Sequence, residues 1–276
     1  MNTTWREILE HSGGEYHIYC KTLETGYVIE HQADTSVNLM SVIKLPILLT
    51  LLDEAQNGRL SLHQTVRVSR SDVGRNGSGL MQYMYLGTRF SLYNLAFLMM
   101  SVSDNTATNV LLRILSKEKV NAYLKRQGLK HTRLNLDKLD FPFDRKKPNP
   151  PLSAGTAHEL AELMERLLKH ELLPTAHTNI ALRLLSEIQK SVAVRRVTMQ
   201  LGKEFGSKTG SSVDHRQPLT IFNECGYLIT RSGHTHVFAV FSLLPTDAKL
   251  PYSDDAAWRI EFADLAATLF TELEAN

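Results

Sequence analysis

The sequence contains no long apolar run, only two cysteines and almost no net charge. Its longest apolar stretch, LPILLTLL at residues 45–52, is much shorter than the roughly 18–20 residues that cross a bilayer, so no transmembrane helix is expected. The formal net charge of +2 over 276 residues does not indicate the basic surface of a nucleic-acid-binding protein. Cys20 and Cys225 lie far apart within apolar segments, and we expect buried free thiols rather than a disulfide.

The N-terminal segment, MNTTWREILEHSGGEY, lacks the apolar region and the small-residue cleavage site of a signal peptide. We therefore expect a cytoplasmic protein, with a secreted or periplasmic one as the alternative if a leader has been removed. The apolar fraction of 43% and the charged fraction of 22% are ordinary for a globular chain. We expect a monomer with no nucleic-acid or membrane partner.

Strand patterns occur near both ends of the chain, and helical patterns fill the middle. EYHIYCKTL and GYVIEH alternate around residues 24–26, and ECGYLIT and HTHVFAVFSLL flank residues 231–233, which predicts two β-hairpins. A final helix carries one apolar stripe, formed by Trp258, Phe262, Leu265 and Leu269. We interpret this stripe as core.

This order predicts an α+β fold, in which an antiparallel sheet flanked by N- and C-terminal helices is joined by an inserted all-α lobe. The α/β lobe would be discontinuous, at residues 1–40 and 191–276, and the all-α lobe would take residues 41–190. A cleft between two lobes is a frequent place for an active site.

Four helix starts are marked by Ser or Thr residues that can accept a hydrogen bond from the first turn. These predicted N-caps are Thr4, Ser91, Ser116 and Thr156. Residues 136–155 contain four prolines, many charges and no clear periodicity. A loop of this length is usually functional or disordered.

The tetrad Ser41-Val-Ile-Lys44 places a hydroxyl and an amine three residues apart at the start of the apolar run. On a helix these positions share a face, and a desolvated lysine can become a base for the serine. The alternative is a lysine that extends to solvent from a helix start. Ser116 and Lys119 fit the same S-x-x-K pattern, which we interpret as a helix cap followed by a solvated lysine.

Two further tripeptides are ambiguous when each is taken alone. S-D-N at residues 103–105 stands at the joint of two helical patterns, where Asp104 can also be an ordinary helix cap. K-T-G at residues 208–210 precedes the late strands and is equally compatible with a turn or a strand end. It lacks the glycines of a phosphate-binding loop.

Taken together, S-x-x-K, S-D-N and K-T-G occur in the order found in class A β-lactamases and penicillin-binding proteins. The segments MSVIKLPILL, GSGLMQYM, VSDNTATNVLL and KTGSS resemble the same class A β-lactamase-like serine hydrolases. The resemblance covers most of the chain and is weaker at residues 131–153 and 190–205. It implies a β-lactamase/transpeptidase-like fold, an acyl-serine mechanism, a β-lactam or similar amide as small-molecule substrate, and no cofactor or metal.

The resemblance also implies roles for the residues that match its motifs. Ser41 would be the nucleophile, Lys44 would accept its proton, and Ser103 would relay a proton to the leaving nitrogen. The backbone N–H groups of Ser41 and Ser211 would form the oxyanion hole.

The remaining matched residues would bind substrate. Lys208 and Thr209 would hold a substrate carboxylate, and Asn105 would hold an acyl side-chain amide. Gly210 and Ser211 would also contact the substrate. Arg216 and Arg231 are candidates for the arginine that assists at the carboxylate. His234 and His236 are too few and too close together to define a metal site.

One feature of class A enzymes is missing, because no glutamate lies between His131 and His158 to activate the deacylating water. Asp140 and Asp144 have the expected four-residue spacing, although an aspartate carboxylate would stand about 1.5 Å further back. A misplacement near 1 Å can lower a rate about 10²-fold. The alternative is that both are ordinary loop residues.

Three functions therefore stay open. The first is a hydrolase that acylates on Ser41 and releases the product. The second is a penicillin-binding or acyl-transfer protein that forms the acyl-enzyme with slow or no deacylation, as the missing glutamate suggests. The third is a non-catalytic binding module that keeps the fold, which the three retained motifs argue against.

Overall fold

The computed structural model describes residues 4–75, 77–140, 151–189, 191, 193–214, 219–245 and 255–276. The helices within these residues are α1 Trp5–Ser12, α2 Lys44–Gln56, α3 Leu92–Ser101, α4 Asn105–Leu115, α5 Lys117–Arg126, α6 Ala157–Leu168, α7 Thr175–Ser186, α8 Ala193–Thr198 and α9 Asp255–Ala275. The strands are β1 Glu15–Thr22, β2 Val28–His31, β3 Thr65–Arg67, β4 Arg89–Ser91, β5 Arg133–Leu134, β6 Ser153–Ala154, β7 Gly202–Asp214, β8 Leu219–Thr230 and β9 Thr235–Pro245.

The chain divides into two compact units, and the first, which we call the sheet unit, comprises residues 1–35, 156–165 and 190–276. Its five strands follow the order β2-β1-β9-β8-β7, and every neighbouring pair is antiparallel. The two predicted hairpins are present as β1–β2 and β8–β9.

The core of the sheet unit contains α1, α9 and the strand side chains that face them. Phe262, Leu265 and Leu269 of the predicted stripe are buried in this core. The ring of Phe262 packs edge-on against the ring of Phe222 in β8, with 4.7 Å between the ring centroids. Trp258 lies outside the described side chains. Burying each large apolar side chain contributes about 1.5–3 kcal/mol, so the stripe holds α9 on the sheet. The predicted α+β fold with flanking terminal helices is confirmed.

The second unit, which we call the helical unit, comprises residues 36–155 and 166–189. Its central helix is α2, whose residues from Lys44 to Glu54 are all buried and which contacts α3, α4, α5 and α7. Two short ladders, β3–β4 and β5–β6, accompany these helices. Residues 156–165 group with the sheet unit, whereas the sequence pattern assigned them to the helical lobe.

The capping predictions agree with the local structure. Thr4 forms a reciprocal capping box with Glu7, and the hydroxyls of Ser91 and Ser116 accept hydrogen bonds from the first turns of α3 and α5. The hydroxyl of Thr156 accepts from the backbone N–H of Glu159 at 3.1 Å in α6. These signals are readable from sequence because the hydrogen bonds they make are local.

Cys20 and Cys225 are free and buried, as predicted. Burial is the main reason that the pKa of each thiol lies above its ordinary value. Among the described residues, no helix is both long and apolar enough to cross a membrane.

Candidate active site

Ser41 lies in a short 3₁₀ turn, Met40–Ile43, that leads directly into α2. Three residues complete one 3₁₀ turn, which aligns positions 41 and 44 along the axis. Ser41 is partly exposed, whereas Lys44, the first residue of α2, is 0% exposed. This burial contradicts the alternative in which Lys44 extends into solvent.

Three oxygen atoms of the S-D-N segment surround the Lys44 amine. Nζ donates to the Ser103 carbonyl oxygen at 2.7 Å, to Ser103 Oγ at 3.0 Å and to Asn105 Oδ1 at 2.7 Å. Ser103 and Asn105 are themselves buried, so bulk water does not compete for these contacts. The fold thus joins two motifs that lie 59 residues apart in sequence.

The backbone at this cluster adopts the left-handed conformation at two non-glycine residues. Met40, directly before Ser41, has a φ of +50°, and Ser103 has a φ of +57°. Such a conformation costs of order 1–3 kcal/mol and persists only where the surrounding contacts enforce it. Since strained residues cluster at functional sites, their positions beside Ser41 and Lys44 mark this region as a candidate site.

Asp104, the middle residue of S-D-N, holds two segments together. Its Oδ1 accepts from the backbone N–H of Ala107 at 2.9 Å and caps α4, as predicted. Its Oδ2 accepts from the backbone N–H groups of Leu80 and Met81 at 2.7 and 2.8 Å. One buried carboxylate therefore attaches the GSGLMQYM segment to the start of α4.

Two glycines of that segment allow its close approach to S-D-N. A Cβ atom at Gly77 would collide with Asn105 Nδ2, and one at Gly79 would collide with the Asp104 carboxylate. Gly79 also has a φ of +107°, which side-chain-bearing residues rarely adopt. In the sequence, GSGLMQYM is informative only as part of a resemblance, and the structure supplies the reason for its glycines.

Asp140 is held by Arg75, a residue that the sequence analysis missed. Arg75 donates from Nε to Oδ1 at 3.2 Å and from Nη2 to Oδ2 at 3.0 Å. The Arg75 hydrogen bonds are the main reason that the pKa of Asp140 lies below its ordinary value. Within the described part of the chain, the side chains that contact this carboxylate are Arg75 and Lys138. Asp144 lies outside the described residues.

Asn109 anchors the Asp140 loop to α4. Its Nδ2 donates to the carbonyl oxygens of Asp72 and Leu139, each at 3.0 Å, and its Oδ1 accepts from the Leu139 backbone N–H at 2.7 Å. Asn105 and Asn109 lie one turn apart on α4, so one helix face contacts both Lys44 and the Asp140 loop.

The K-T-G residues lie on β7, the edge strand of the five-stranded sheet, in the sheet unit. Lys208 is 0% exposed, stands opposite Cys225 of β8 and donates from Nζ to the Thr209 carbonyl oxygen at 2.8 Å. Gly210 is buried and Ser211 is exposed. Among the described strands, only β8 pairs with β7, so one row of β7 backbone groups faces away from the sheet.

A buried carboxylate on β8 was not predicted. Glu224 is 0% exposed, stands opposite Thr209, and accepts from Ser191 Oγ at 2.6 Å and from Ser207 Oγ at 2.7 Å. A single glutamate within a strand pattern carries no sequence signal, because its partners come from separate segments.

The structure does not single out Arg216 or Arg231 as the residue that would contact a substrate carboxylate. Arg231 lies in the turn after β8 and donates from Nη1 to the Gln200 carbonyl oxygen at 3.3 Å. Arg216 lies outside the described residues. Ser41, Lys44, Ser103 and Asn105 belong to the helical unit, and residues 208–211 belong to the sheet unit.

Known proteins resemble this chain over most of its length. A family model described as the Beta-lactamase enzyme family matches residues 2–269. The extended-spectrum β-lactamase PER-1 of Pseudomonas aeruginosa is 23% identical over 206 residues, which cover 74% of this chain and 66% of that protein. The chain therefore matches just under two thirds of that relative's length.

Solved structures share the fold at low sequence identity. A β-lactamase from Sphaerobacter thermophilus is 22% identical, with a TM-score of 0.82 over 99% of each chain. A second solved structure is that of PBP-A, in which a point mutant forms an acyl-enzyme complex with penicillin-G. That chain is 20% identical to this one, with a TM-score of 0.82 over 99% of this chain and 95% of that chain. The family model, which matches nearly the whole chain, confirms the resemblance read from the motifs, and this protein belongs to the beta-lactamase enzyme family.

Proposed function

We propose that Ser41 is the nucleophile of this protein and that a β-lactam or similar amide acylates it. The observation that carries the proposal is the contact of Lys44 Nζ with Ser103 and Asn105, directly after the turn that holds Ser41. Family membership and the order of the three motifs support the same reaction class.

The surroundings of Lys44 suit both protonation states that a base must adopt. A neutral amine has two N–H donors and one lone pair, so it can donate to the Ser103 carbonyl oxygen and to Asn105 Oδ1. The Ser103 hydroxyl, which can donate or accept, then pairs with the lone pair. After proton uptake the ammonium has three donors for the three oxygens at 2.7–3.0 Å.

In the proposed step the Ser103 hydroxyl turns away from Lys44, and the lone pair of Nζ takes the proton of Ser41 as Ser41 Oγ attacks the amide carbonyl carbon. The C–N bond then breaks, and the proton held on Lys44 Nζ passes through Ser103 Oγ to the leaving nitrogen. The backbone N–H groups of Ser41 and Ser211 are proposed to stabilise the oxyanion. Hydrolysis would return free Ser41 when water attacks the ester.

Substrate binding is proposed for Asn105 and for residues 208–211. Because Asn105 Oδ1 accepts from Lys44, its Nδ2 is the atom that can donate to a substrate carbonyl. Lys208, Thr209 and Gly210 are proposed to hold a substrate carboxylate, as the resemblance implies. A small-molecule ligand fits these roles, and neither needs a cofactor.

A second function, in which the acyl-enzyme persists, is favoured by the Arg75–Asp140 ion pair. Of the two aspartates that could activate the deacylating water, Asp140 is the one that the structure describes. Both of its carboxylate oxygens contact Arg75. A carboxylate so held is a weaker base, because the positive charge stabilises its ionised form. The similar PBP-A structure contains a penicillin-G acyl-enzyme, which is consistent with this reading.

Time-resolved intact-mass spectrometry with a penicillin tests the proposal and separates the two functions. We expect the mass of the wild-type protein to rise by one penicillin and the mass of Ser41→Ala to stay unchanged. Rapid return to the free mass indicates a hydrolase, and a persistent adduct indicates slow deacylation. If Asp140 activates water, Asp140→Asn should slow the return about 10²-fold or more.

The control is Ser116→Ala, which removes the hydroxyl of the second S-x-x-K tetrad. We expect this variant to be acylated at the wild-type rate. Acylation of Ser41→Ala at the wild-type rate would contradict the assignment of the nucleophile. Absence of labelling by any β-lactam in the folded wild-type protein would favour a non-catalytic binding module.

A further inference from the structure

Three side chains with metal-binding atoms meet where β9 begins and α9 ends. His236 Nε2 lies 2.7 Å from Glu274 Oε1, and His234 Nδ1 lies 3.3 Å from the same oxygen. The three donor atoms all lie within 4.8 Å of one another. The cluster lies within the sheet unit and shares no residue with the candidate active site.

The fold explains why the histidines point the same way. His234 directly precedes β9 and His236 is the second residue of that strand, so the two are separated by the two-residue spacing at which side chains of an extended segment project to the same face. His236 is 0% exposed and packs against Phe270 of α9 at 5.9 Å between ring centroids. Glu274 stands about one turn further along α9, which brings its carboxylate to the histidine pair.

The donor atoms are close enough together to surround one tetrahedral zinc ion. Zn–N and Zn–O distances of about 2.0–2.2 Å place two tetrahedral ligands about 3.3 Å apart. The His234 Nδ1–Glu274 Oε1 distance of 3.3 Å equals that value, whereas the His236 Nε2–Glu274 Oε1 distance of 2.7 Å is that of a hydrogen bond and would lengthen by about 0.6 Å when the ion binds. Two imidazoles and one carboxylate are also a donor set that zinc accepts, with a fourth position left to water.

His234 Nδ1 supplies an independent indication of a ligand. This nitrogen is buried and makes no hydrogen bond within the described part of the chain, because its approach to Glu274 lacks hydrogen-bond geometry. An unsatisfied buried polar atom is uncommon in a folded protein and calls for a partner. A zinc ion at the cluster would coordinate this lone pair.

The residues behind the cluster orient two of its ligands. Thr22 Oγ1 contacts His236 Nδ1 at 3.0 Å, so it can accept the ring N–H and leave Nε2 for a metal. Ser232 Oγ donates to Glu274 Oε2 at 2.6 Å, which leaves Oε1 facing the histidines. Such outer contacts are typical of metal centres. The side chain of His234 is 32% exposed, which gives an ion a route from solvent.

We propose that His234, His236 and Glu274 bind one zinc ion. In the sequence, the two histidines are too few and too close together to define a metal site, and the fold supplies the third ligand from a residue 38 positions from His236. The ion would join the β8–β9 hairpin to the last turn of α9, so binding would stabilise the sheet unit rather than take part in acylation.

Calorimetric titration of the full-length, untagged and EDTA-dialysed protein with zinc chloride tests this site. We expect one zinc ion per chain and a rise of several degrees in Tm at saturation. His234→Ala and Glu274→Gln should each weaken binding at least tenfold and abolish the Tm rise. Ser232→Ala should weaken binding about tenfold through the orientation of Glu274. Cobalt bound in place of zinc should give the strong visible absorption of tetrahedral coordination.

The matched control is His63→Ala, which removes an exposed histidine of the helical unit and should leave zinc binding unchanged. Far-UV circular dichroism verifies that His234→Ala is folded, which its partly exposed position favours. The proposal is overturned if the wild-type protein shows no saturable binding. It is also overturned if one-to-one binding persists at full affinity in folded His234→Ala.

Discussion

Two S-x-x-K tetrads occur in this chain, and the structure gives their lysines opposite surroundings. Lys44 is 0% exposed and its amine contacts three oxygens of the S-D-N segment. Lys119 follows a helix-capping serine, has a side chain that is 43% exposed, and pairs with Glu54 at 2.8 Å. The same short pattern therefore carries a candidate base in one place and a surface ion pair in the other, as the sequence analysis expected for Lys119.

The variant Lys44→Met tests the role of this amine, because methionine keeps an unbranched side chain of nearly the same length and lacks the amine. If Lys44 is the base for Ser41, the acylation rate should fall about 10²–10⁴-fold. The measurement is the rate of penicillin adduct formation by rapid-quench mass spectrometry. Lys119→Met is the matched control and should retain the wild-type rate; equal losses in both variants would remove Lys44 from the mechanism.

The start of α4 joins several segments of the candidate site. Asp104 caps the helix and binds the GSGLMQYM segment, Asn105 contacts Lys44, and Asn109 holds the Asp140 loop. The helix thus fixes three separate segments through short polar side chains. Hydrogen bonds to a buried carboxylate are charge-assisted and stronger than neutral ones.

This arrangement predicts that Asp104→Ala costs more than the loss of an ordinary helix cap. A cap contributes about 1 kcal/mol, whereas Asp104 also satisfies the Leu80 and Met81 N–H groups, so we expect a total loss of about 3 kcal/mol. Urea denaturation measures the free energy of unfolding. Ser91→Ala, which removes only the cap of α3, should cost about 1 kcal/mol. Equal costs for the two variants would show that the segment is held by other contacts.

Over the whole molecule, the chain order interleaves the two units. The sheet unit is assembled from both ends of the chain, because β1 pairs with β9 and places Tyr16 opposite Ser242. The helical unit is formed largely by the segment between these ends, and its loops are joined by ion pairs between distant residues. Arg113 pairs with Asp72 at 2.8 Å, and Arg75 pairs with Asp140 at 3.0 Å.

These ion pairs predict how stability depends on pH. Burial raises the pKa of Asp72, but hydrogen bonds from Arg113 and Ser69 outweigh it and hold that pKa below its ordinary value. The pKa of Asp140 is likewise lowered, mainly by Arg75. A carboxylate whose pKa is lower in the folded protein than in the unfolded chain adds to the free energy of unfolding. That contribution is complete above the unfolded pKa, which is about 4, and it is lost as the pH falls through the folded pKa. The free energy of unfolding should therefore decrease below about pH 4.

Urea denaturation of Arg113→Gln and Arg75→Gln between about pH 7 and pH 3 checks this prediction. At pH 7, Arg113→Gln should cost about 1–3 kcal/mol, because Asp72 is only 3% exposed. Arg75→Gln should cost less than Arg113→Gln, since the Arg75 side chain is 65% exposed and water screens the pair. Both differences from wild type should shrink at acid pH, and a difference that is constant with pH would contradict this account.

The helix caps, both hairpins, the apolar stripe of α9 and the three ordered motifs can all be predicted from the sequence alone. These features depend on the period of apolar residues and on hydrogen bonds between residues a few positions apart, so local order is enough to reveal them. The same motifs were sufficient to identify the family. Whether Lys44 is buried, however, depends on what packs around α2, which no local pattern contains.

Contacts between side chains that are distant in sequence become visible in the three-dimensional fold. Arg75 and Asp140 are 65 positions apart, and His236 and Glu274 are 38 positions apart. An arginine, an aspartate or a histidine carries no local signal of its partner, because such a contact is enforced by the packing of whole elements. Candidate residues therefore acquire their chemistry from the fold: Asp140 forms an ion pair with Arg75, and His234 and His236 meet the carboxylate of Glu274, which completes the proposed zinc site.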